Sequence, residues 1–426
     1  MSPLPPIRFG TDGVRGPSGT WPITAAGAHA IGAGLASWLS GSSAPHILVG
    51  RDPRASGDTL VQAILDGIAA CGARATNLGV LPTAAVSCAV HARGAQAGVM
   101  VTASHNPAAD NGIKVLGPGG RKLTKAEATE LESWFDRPAT AAGGTIDTDP
   151  DPLGPWRAWL PTVNLDGLTI LVDAAHGAGA ECAPAALEAM GATVVRRGCA
   201  PDGTNINDGV GALHPPHAEA VAAAGAQLAI CLDGDADRVA LVCPHNGLLD
   251  GDDLLWLMRT LFAGPIVGTV MSNGGLEAAL DGRLVRSPVG DAHVAAAMRE
   301  TGARLGAEPS GHVLFTDGMP TGDGLYAALR VLEAAADGSG RPVLPLASGG
   351  WSRWPVVKTN VRFTGDRLDL DTLDSIAAAR AAGNRLVVRY SGTEPKLRIL
   401  VEGQASPEAH VQAIADEFRA RKGATT

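Results

Sequence analysis

The sequence contains no CxxC pair: its six cysteines, Cys71, Cys88, Cys182, Cys199, Cys231 and Cys243, are scattered along 426 residues. That spacing excludes a small disulfide scaffold and a zinc ribbon, and it fits the reduced thiols of a cytoplasmic protein. A Lys/Arg cluster is lacking too, and the formal net charge is -9. This balance argues against nucleic acid and against an anionic membrane surface as partners, so any anionic ligand has to be held by local groups. The opening run Met-Ser-Pro-Leu-Pro-Pro-Ile-Arg does not have the basic-then-apolar pattern of a signal peptide. The most membrane-like stretch, Thr24 to Ser40, is built largely of Ala and Gly and is interrupted by His29 and Ser37, which predicts a core helix rather than a span. No sequence repeat is evident, which still allows successive units to share a fold.

What is present is enough to bury large cores: 45% of residues are hydrophobic and 18% charged, as in a soluble globular protein. At about 150 residues per domain the length predicts several domains with clefts between them. Short apolar runs, His46 to Val49, Gly98 to Val101, Leu168 to Val172, Leu228 to Leu232 and Ile266 to Met271, alternate with helical patterns, predicting α/β units with parallel strands. Leu60, Val61, Ile64, Leu65 and Ile68 mark one helix face, and Thr124 with Glu127 forms a capping box that opens another helix. Loop-like composition at Arg137 to Pro155, Pro244 to Gly251 and Gly338 to Gly350 divides the chain into 1–150, 151–245, 246–345 and 346–426. The last segment carries three strand-like runs, Val356 to Phe363, Arg385 to Arg389 and Leu397 to Val401, then a helix from Ser406-Pro407, which predicts a smaller α+β domain.

The sharpest motif is Asp233-Gly-Asp235-Ala-Asp237-Arg238, directly after an apolar run. Three carboxylates at alternate positions repel one another unless they converge on a hard divalent cation; the alternative is a solvated acidic turn. An EF-hand is excluded because Arg238 and Pro244 stand where its Gly and Glu belong. Thr102-Ala-Ser104-His105-Asn-Pro107, with Lys114 following, offers either a hydroxyl nucleophile beside a base or cation, or a plain turn. The G-x-S-x-G elbow of acyl-transfer hydrolases is absent. Glu308-Pro-Ser310-Gly-His312 is a polar turn whose groups suit sugar hydroxyls. Arg389-Tyr-Ser391-Gly392-Thr393-Glu-Pro-Lys396-Leu-Arg398 reads either as a phosphate-binding loop or as a hairpin with solvated charges. Gly177-Ala-Gly179 after a strand is close to a dinucleotide fingerprint, but Cys182 occupies the third small position, so an ordinary strand-turn-helix is the better account.

In this order, together with Phe9-Gly-Thr-Asp-Gly-Val-Arg15-Gly16, these motifs resemble the α-D-phosphohexomutase superfamily over nearly the whole chain. The resemblance implies three α/β domains with mixed sheets plus a smaller α+β C-terminal domain around a central cleft. It further implies phosphoserine at Ser104, one Mg²⁺ per subunit on Ser104, Asp233, Asp235 and Asp237, and catalytic support from Arg15, His105, Lys114 and Arg238. Substrate contacts would come from Glu308, Ser310, His312, Arg389, Ser391, Gly392, Thr393 and Arg398. Asn205-Ile-Asn207, Met271-Ser-Asn273 and Thr321-Gly-Asp323-Gly324 look like the bacterial glucosamine-phosphate branch. That branch implies a hexosamine phosphate substrate, interconversion of the 6- and 1-phosphates and a 1,6-bisphosphate intermediate; a homodimer is among the assemblies open to it. Pro309, where Asn or Gln is usual, and Ala292, where Arg is usual, depart from the pattern and bear on substrate choice. The rival readings are a phosphomannomutase/phosphoglucomutase of the same mechanism, an NADP-dependent dehydrogenase and a non-catalytic sugar-phosphate binder. The proton acceptor for the attacking hydroxyl is left between His105 and Lys114, with Lys114 preferred on the expectation that burial and neighbouring cations lower its pKa.

Overall fold

A computed structural model describes residues 5–10, 12–41, 44–137, 143–346, 350–391, 394–403 and 406–422. Four sheets follow one another along the chain. In the first, His46–Arg51, Arg74–Val80, Ala97–Val101 and Asp110–Leu116 take the spatial order fourth, third, first, second, with further strands at both edges. The first three of these strands run parallel and the fourth is antiparallel to the third. The same order and the same single reversal recur in Thr169–Asp173, Thr193–Arg197, Leu228–Leu232 and Val239–Cys243. They recur again in Ile266–Thr269, Leu284–Ser287, Leu305–Ala307 and Val313–Phe315. Three units therefore share one topology that no sequence repeat announces.

The apolar runs expected to be parallel strands are parallel, and each unit adds a fourth, antiparallel strand, so the sheets are mixed as the resemblance implies. The composition of that strand does not announce the reversal: Asp110–Leu116 carries Asn, Gly and Lys within it, whereas Val239–Cys243 is wholly apolar and buried. The consequence is functional. The third-to-fourth connection of each unit holds one motif: Ser104 in the first, the Asp233 to Arg238 turn in the second and Glu308 to His312 in the third. The fourth sheet orders Val356–Arg362, Lys396–Glu402 and Arg385–Tyr390 as an antiparallel trio, with the Arg389 to Arg398 segment again joining antiparallel neighbours.

Local packing follows from sequence. The Thr24 to Ser40 stretch forms the helix Ala25–Leu39, capped by the Thr24 hydroxyl, which accepts from the Gly27 amide. It packs on Gly57–Ala70 through small residues: a Cβ on Gly32 would lie 2.3 Å from the Ile64 carbonyl oxygen, and one on Gly67 2.3 Å from that of His29. Around this contact Ile31, Leu35, Ile47, Val49, Ile64, Leu65 and Val99 close the first core. The helix is 15 residues long, and no helix among the described residues is long and apolar enough to cross a membrane. The capping box opens Lys125–Glu132 as the spacing predicts, and the final helix runs Pro407–Lys422. All six cysteines are free thiols.

Candidate active site

Ser104 sits in the left-handed region, φ 50°, at the tip of a loop, and is almost wholly buried. Its hydroxyl donates to Asp233 Oδ2 at 2.7 Å and lies 3.3 Å from His105 Nδ1. The acidic turn is equally constrained, with Ala236 at φ 59° and Gly234 pressed so close that a Cβ there would stand 2.4 Å from the Ser104 carbonyl oxygen. A residue larger than glycine at 234 would push the two loops apart.

Asp233, Asp235 and Asp237 are buried, and one carboxylate oxygen from each lies within 4.8 Å of the others. Burial, then the Asp237 and Asp235 charges, push Asp233 up to about 7. Asp235 Oδ1 and Asp237 Oδ1 are buried without a hydrogen-bond partner among the described residues. An oxygen-only donor set with two orphaned carboxylate oxygens is the chemistry a hard divalent cation satisfies, so these residues fit a metal. The remaining oxygens are engaged: Asp235 Oδ2 accepts from Thr83 Oγ1 at 2.6 Å and from Lys114 Nζ at 2.8 Å.

Lys114 corrects an expectation. Burial works to lower its pKa, but Asp12 at 2.8 Å, Asp235 at 2.8 Å and Asp237 at 3.3 Å outweigh it and hold the ammonium well above its ordinary range. Lys114 is thus a cation paired with three carboxylates. His105 moves the other way: burial, then Arg238 and Arg15, push it down to about 4, so its imidazole is neutral at neutral pH.

These groups open onto a cavity of about 830 Å³ whose walls include Arg15, Ser104, His105, Asp237, Arg238, Glu308, Ser310 and His312. The Glu308 loop is tied to the acidic turn, since the Val239 amide donates to the Gly311 carbonyl at 3.0 Å. Glu308 Oε1 accepts from the Gly290 amide at 2.9 Å. The buried His312 is raised above its ordinary pKa: burial opposes this, but Asp237 and Asp291 prevail. Neither Pro309 nor Ala292 lines this cavity. Pro309 faces a separate one of about 400 Å³ with Asp252, Asn273 and Arg353, and Ala292 faces another of about 510 Å³ behind the opening loop.

Among the described residues, the C-terminal candidates Arg389, Ser391 and Arg398 are not brought to that cavity. Arg389 and Arg398 are exposed and lie opposite each other across the antiparallel pair, and Ser391 is buried beside them. Like charges directly opposite repel unless an anion lies between them. Gly392 and Thr393 lie outside the described residues.

Sequence reasoning missed a cluster on the cavity wall. Lys122 Nζ donates to Asp12 Oδ1 at 2.9 Å and also pairs with Asp291, joining the opening loop to the third unit. Asp12 stands inside the opening motif and Asp291 beside Ala292, so both were within reach of the motif reading; nothing local marks Lys122. The loop Gly177 to Gly179 serves packing: a Cβ on Gly177 would come 2.3 Å from the Gly234 carbonyl oxygen, which accounts for the glycine without a dinucleotide.

The chain matches four family descriptions in order: phosphoglucomutase/phosphomannomutase alpha/beta/alpha domain I over residues 6–141, domain II over 159–247, domain III over 250–353 and the C-terminal domain over 359–421. It is 42% identical to the phosphoglucosamine mutase of Sorangium cellulosum, covering 93% of this chain and 89% of the relative. It is 40% identical to that of an Anaeromyxobacter species, covering 99% and 97%. Among solved structures, a phosphoglucomutase/phosphomannomutase family protein from Burkholderia thailandensis has the same fold, with a TM-score of 0.76, 24% identity and 98% of each chain covered.

Proposed function

Because the chain belongs to the phosphoglucosamine mutase family of the α-D-phosphohexomutase superfamily, we propose that it interconverts glucosamine 6-phosphate and glucosamine 1-phosphate through a phosphoryl group carried on Ser104. The observation that carries this reading is the Ser104 hydroxyl 2.7 Å from Asp233 Oδ2, at the wall of a cavity lined by Arg15, His105 and Arg238. Phosphoryl transfer depends chiefly on positioning and on charge stabilisation of the equatorial oxygens, and this wall offers both.

In the forward half, the P–Oγ bond of phosphoserine breaks as a sugar hydroxyl oxygen bonds to phosphorus, leaving a bound 1,6-bisphosphate. The sugar hydroxyl gives up its proton to a general base as Ser104 Oγ takes one up on leaving, and His105 Nδ1, 3.3 Å from Ser104 Oγ, stands beside that leaving oxygen. In the return half, the intermediate turns over and Ser104 takes its other phosphate. Lys114, Arg15 and Arg238 supply fixed positive charge throughout. Asp233, Asp235 and Asp237 would hold Mg²⁺, which when bound supplies Lewis-acid stabilisation of the transferring phosphoryl oxygens. Division of the chain at 1–150, 151–245, 246–345 and 346–426 gives each unit a motif loop, and the last, which does not line the cavity, would close on it to grip whichever phosphate is not reacting.

Two predictions arise here. Arg389→Ala should raise KM for the sugar phosphate roughly ten- to hundredfold, the range for losing a hydrogen bond to a charged group, while leaving Ser104 phosphate content unchanged. Steady-state kinetics with peptide mapping checks it, and loss of the Ser104 phosphate at constant KM would contradict this division of labour. On substrate choice, Glu308 provides a carboxylate at the cavity wall, and an ammonium gains a charge-assisted bond there that a hydroxyl does not. Glucosamine 1-phosphate should therefore exceed glucose 1-phosphate and mannose 1-phosphate in kcat/KM by about tenfold or more. A neutral sugar as the best substrate would move the chain to the phosphomannomutase/phosphoglucomutase reading.

A further inference from the structure

The backbone carbonyl of Ser104 is gripped from two directions. From the first unit, Arg54 Nη2 donates to the Ser104 carbonyl at 3.0 Å and to that of Asn106 at 2.8 Å. Its Nη1 reaches the carbonyls of Asp110, at 2.9 Å, and Pro107. From the second unit, Asn207 Nδ2 donates to the same two carbonyls, Ser104 at 2.9 Å and Asn106 at 3.0 Å.

Arg54 is 0% exposed and so is its partner Asp52, whose Oδ2 accepts from Arg54 Nε at 2.9 Å and from Thr102 Oγ1 at 2.6 Å. Thr102 Oγ1 in turn accepts from the Ser104 amide at 2.8 Å. Both backbone polar groups of Ser104 are thus fixed by side chains, and the residue is held at a positive φ that a serine does not adopt by preference. Neither Arg54 nor Asn207 lines the 830 Å³ cavity.

We infer that Arg54 and Asn207 form a two-unit clamp on the Ser104 carbonyl, and that both are positioning residues that set the serine hydroxyl against the acidic turn. The inference rests on the reading of Ser104 as phosphoryl carrier. Asn207 is the more informative half because it comes from the unit that carries the acidic turn. Its own amide donates to the Ala175 carbonyl at 2.8 Å, and its neighbour in space, Gly234, abuts the same carbonyl oxygen of Ser104. The clamp therefore registers the phosphoryl carrier to the second unit, and small displacement of reacting atoms is costly: about 1 Å can lower a rate by 10²-fold.

Asn207 has φ 62°, so Asn207→Gly removes the amide without backbone strain. It should lower kcat roughly 10- to 100-fold, leave KM for glucosamine 6-phosphate near the wild-type value, and slow phosphorylation of Ser104 by glucose 1,6-bisphosphate in proportion, with the melting temperature little changed. Arg54→Lys should show the same split more strongly; it leaves a buried carboxylate short of donors and can cost the fold, which is why Asn207→Gly decides. A kcat close to wild type in Asn207→Gly overturns the clamp. So does a loss carried by KM, or one that tracks a collapsed melting temperature. Ser104→Ala run alongside separates the two readings: if it stays active the phosphoryl-carrier reading fails, and if it is inactive while Asn207→Gly is normal only the clamp fails.

Discussion

Ser104→Ala should lower mutase turnover roughly 10⁴-fold or more while leaving the protein folded. The magnitude is that of deleting the atom that carries the transferred group, for which positioning and electrostatic terms cannot compensate. The fold should survive because the loop is held by its backbone. The Ser104 amide donates to Thr102, and its carbonyl accepts from Arg54 and Asn207, none of which needs the hydroxyl. The substitution removes the bond to Asp233 Oδ2, but Asp233 Oδ1 still accepts from the Arg238 amide at 3.1 Å. A coupled assay with a thermal melt checks this, and turnover within tenfold of wild type would show that another group carries the phosphate.

Asp235→Asn has the second largest expected effect: a loss of about 10²- to 10³-fold in kcat, comparable to removing one fixed electrostatic element from an active site. Asp235 is fully buried, and Asn preserves its shape while removing one negative charge. Lys114 keeps Asp12 and Asp237 as counter-charges, so the ammonium remains paired and the fold should hold. Metal binding should weaken in step, by at least tenfold in the Mg²⁺ concentration for half-maximal activity. Because Asp233 sits at about 7 in the metal-free protein, cation binding there competes with a proton, and the Mg²⁺ requirement should rise as pH falls below about 7. Normal turnover with unchanged Mg²⁺ dependence would remove Asp235 from the metal site.

The parts of the site that sequence revealed are those whose chemistry is concentrated in a few consecutive residues. Three aspartates at alternate positions after Leu228 to Leu232 advertise a charge problem, and the structure brings those carboxylates together. The cation network is different in kind. Lys122 pairs with Asp12 across 110 positions and with Asp291 across 169, and contacts between such distant segments leave no local pattern. Arg54 was hidden for another reason. No motif marks it in the sequence, and it is fully buried because its donors meet four backbone carbonyls and Asp52. The shared topology of the three units was equally unreadable, since it depends on which strands become neighbours and not on residue identity at matching positions. Lys114 shows where a local rule misled: burial alone lowers a lysine pKa, and only the structure reveals that three carboxylates converge on this one.

The account stands or falls on whether Ser104 carries the phosphate that is transferred. Protein treated with glucose 1,6-bisphosphate, freed of it and digested for peptide mapping should hold phosphate on Ser104. When that phosphate is radiolabelled, adding unlabelled glucosamine 6-phosphate should move the label from Ser104 to the sugar within a single turnover, while Ser104 is rephosphorylated from the other phosphate of the bisphosphate intermediate. A protein that turns over while Ser104 remains unmodified, or whose Ser104 keeps its label through turnover, would contradict it.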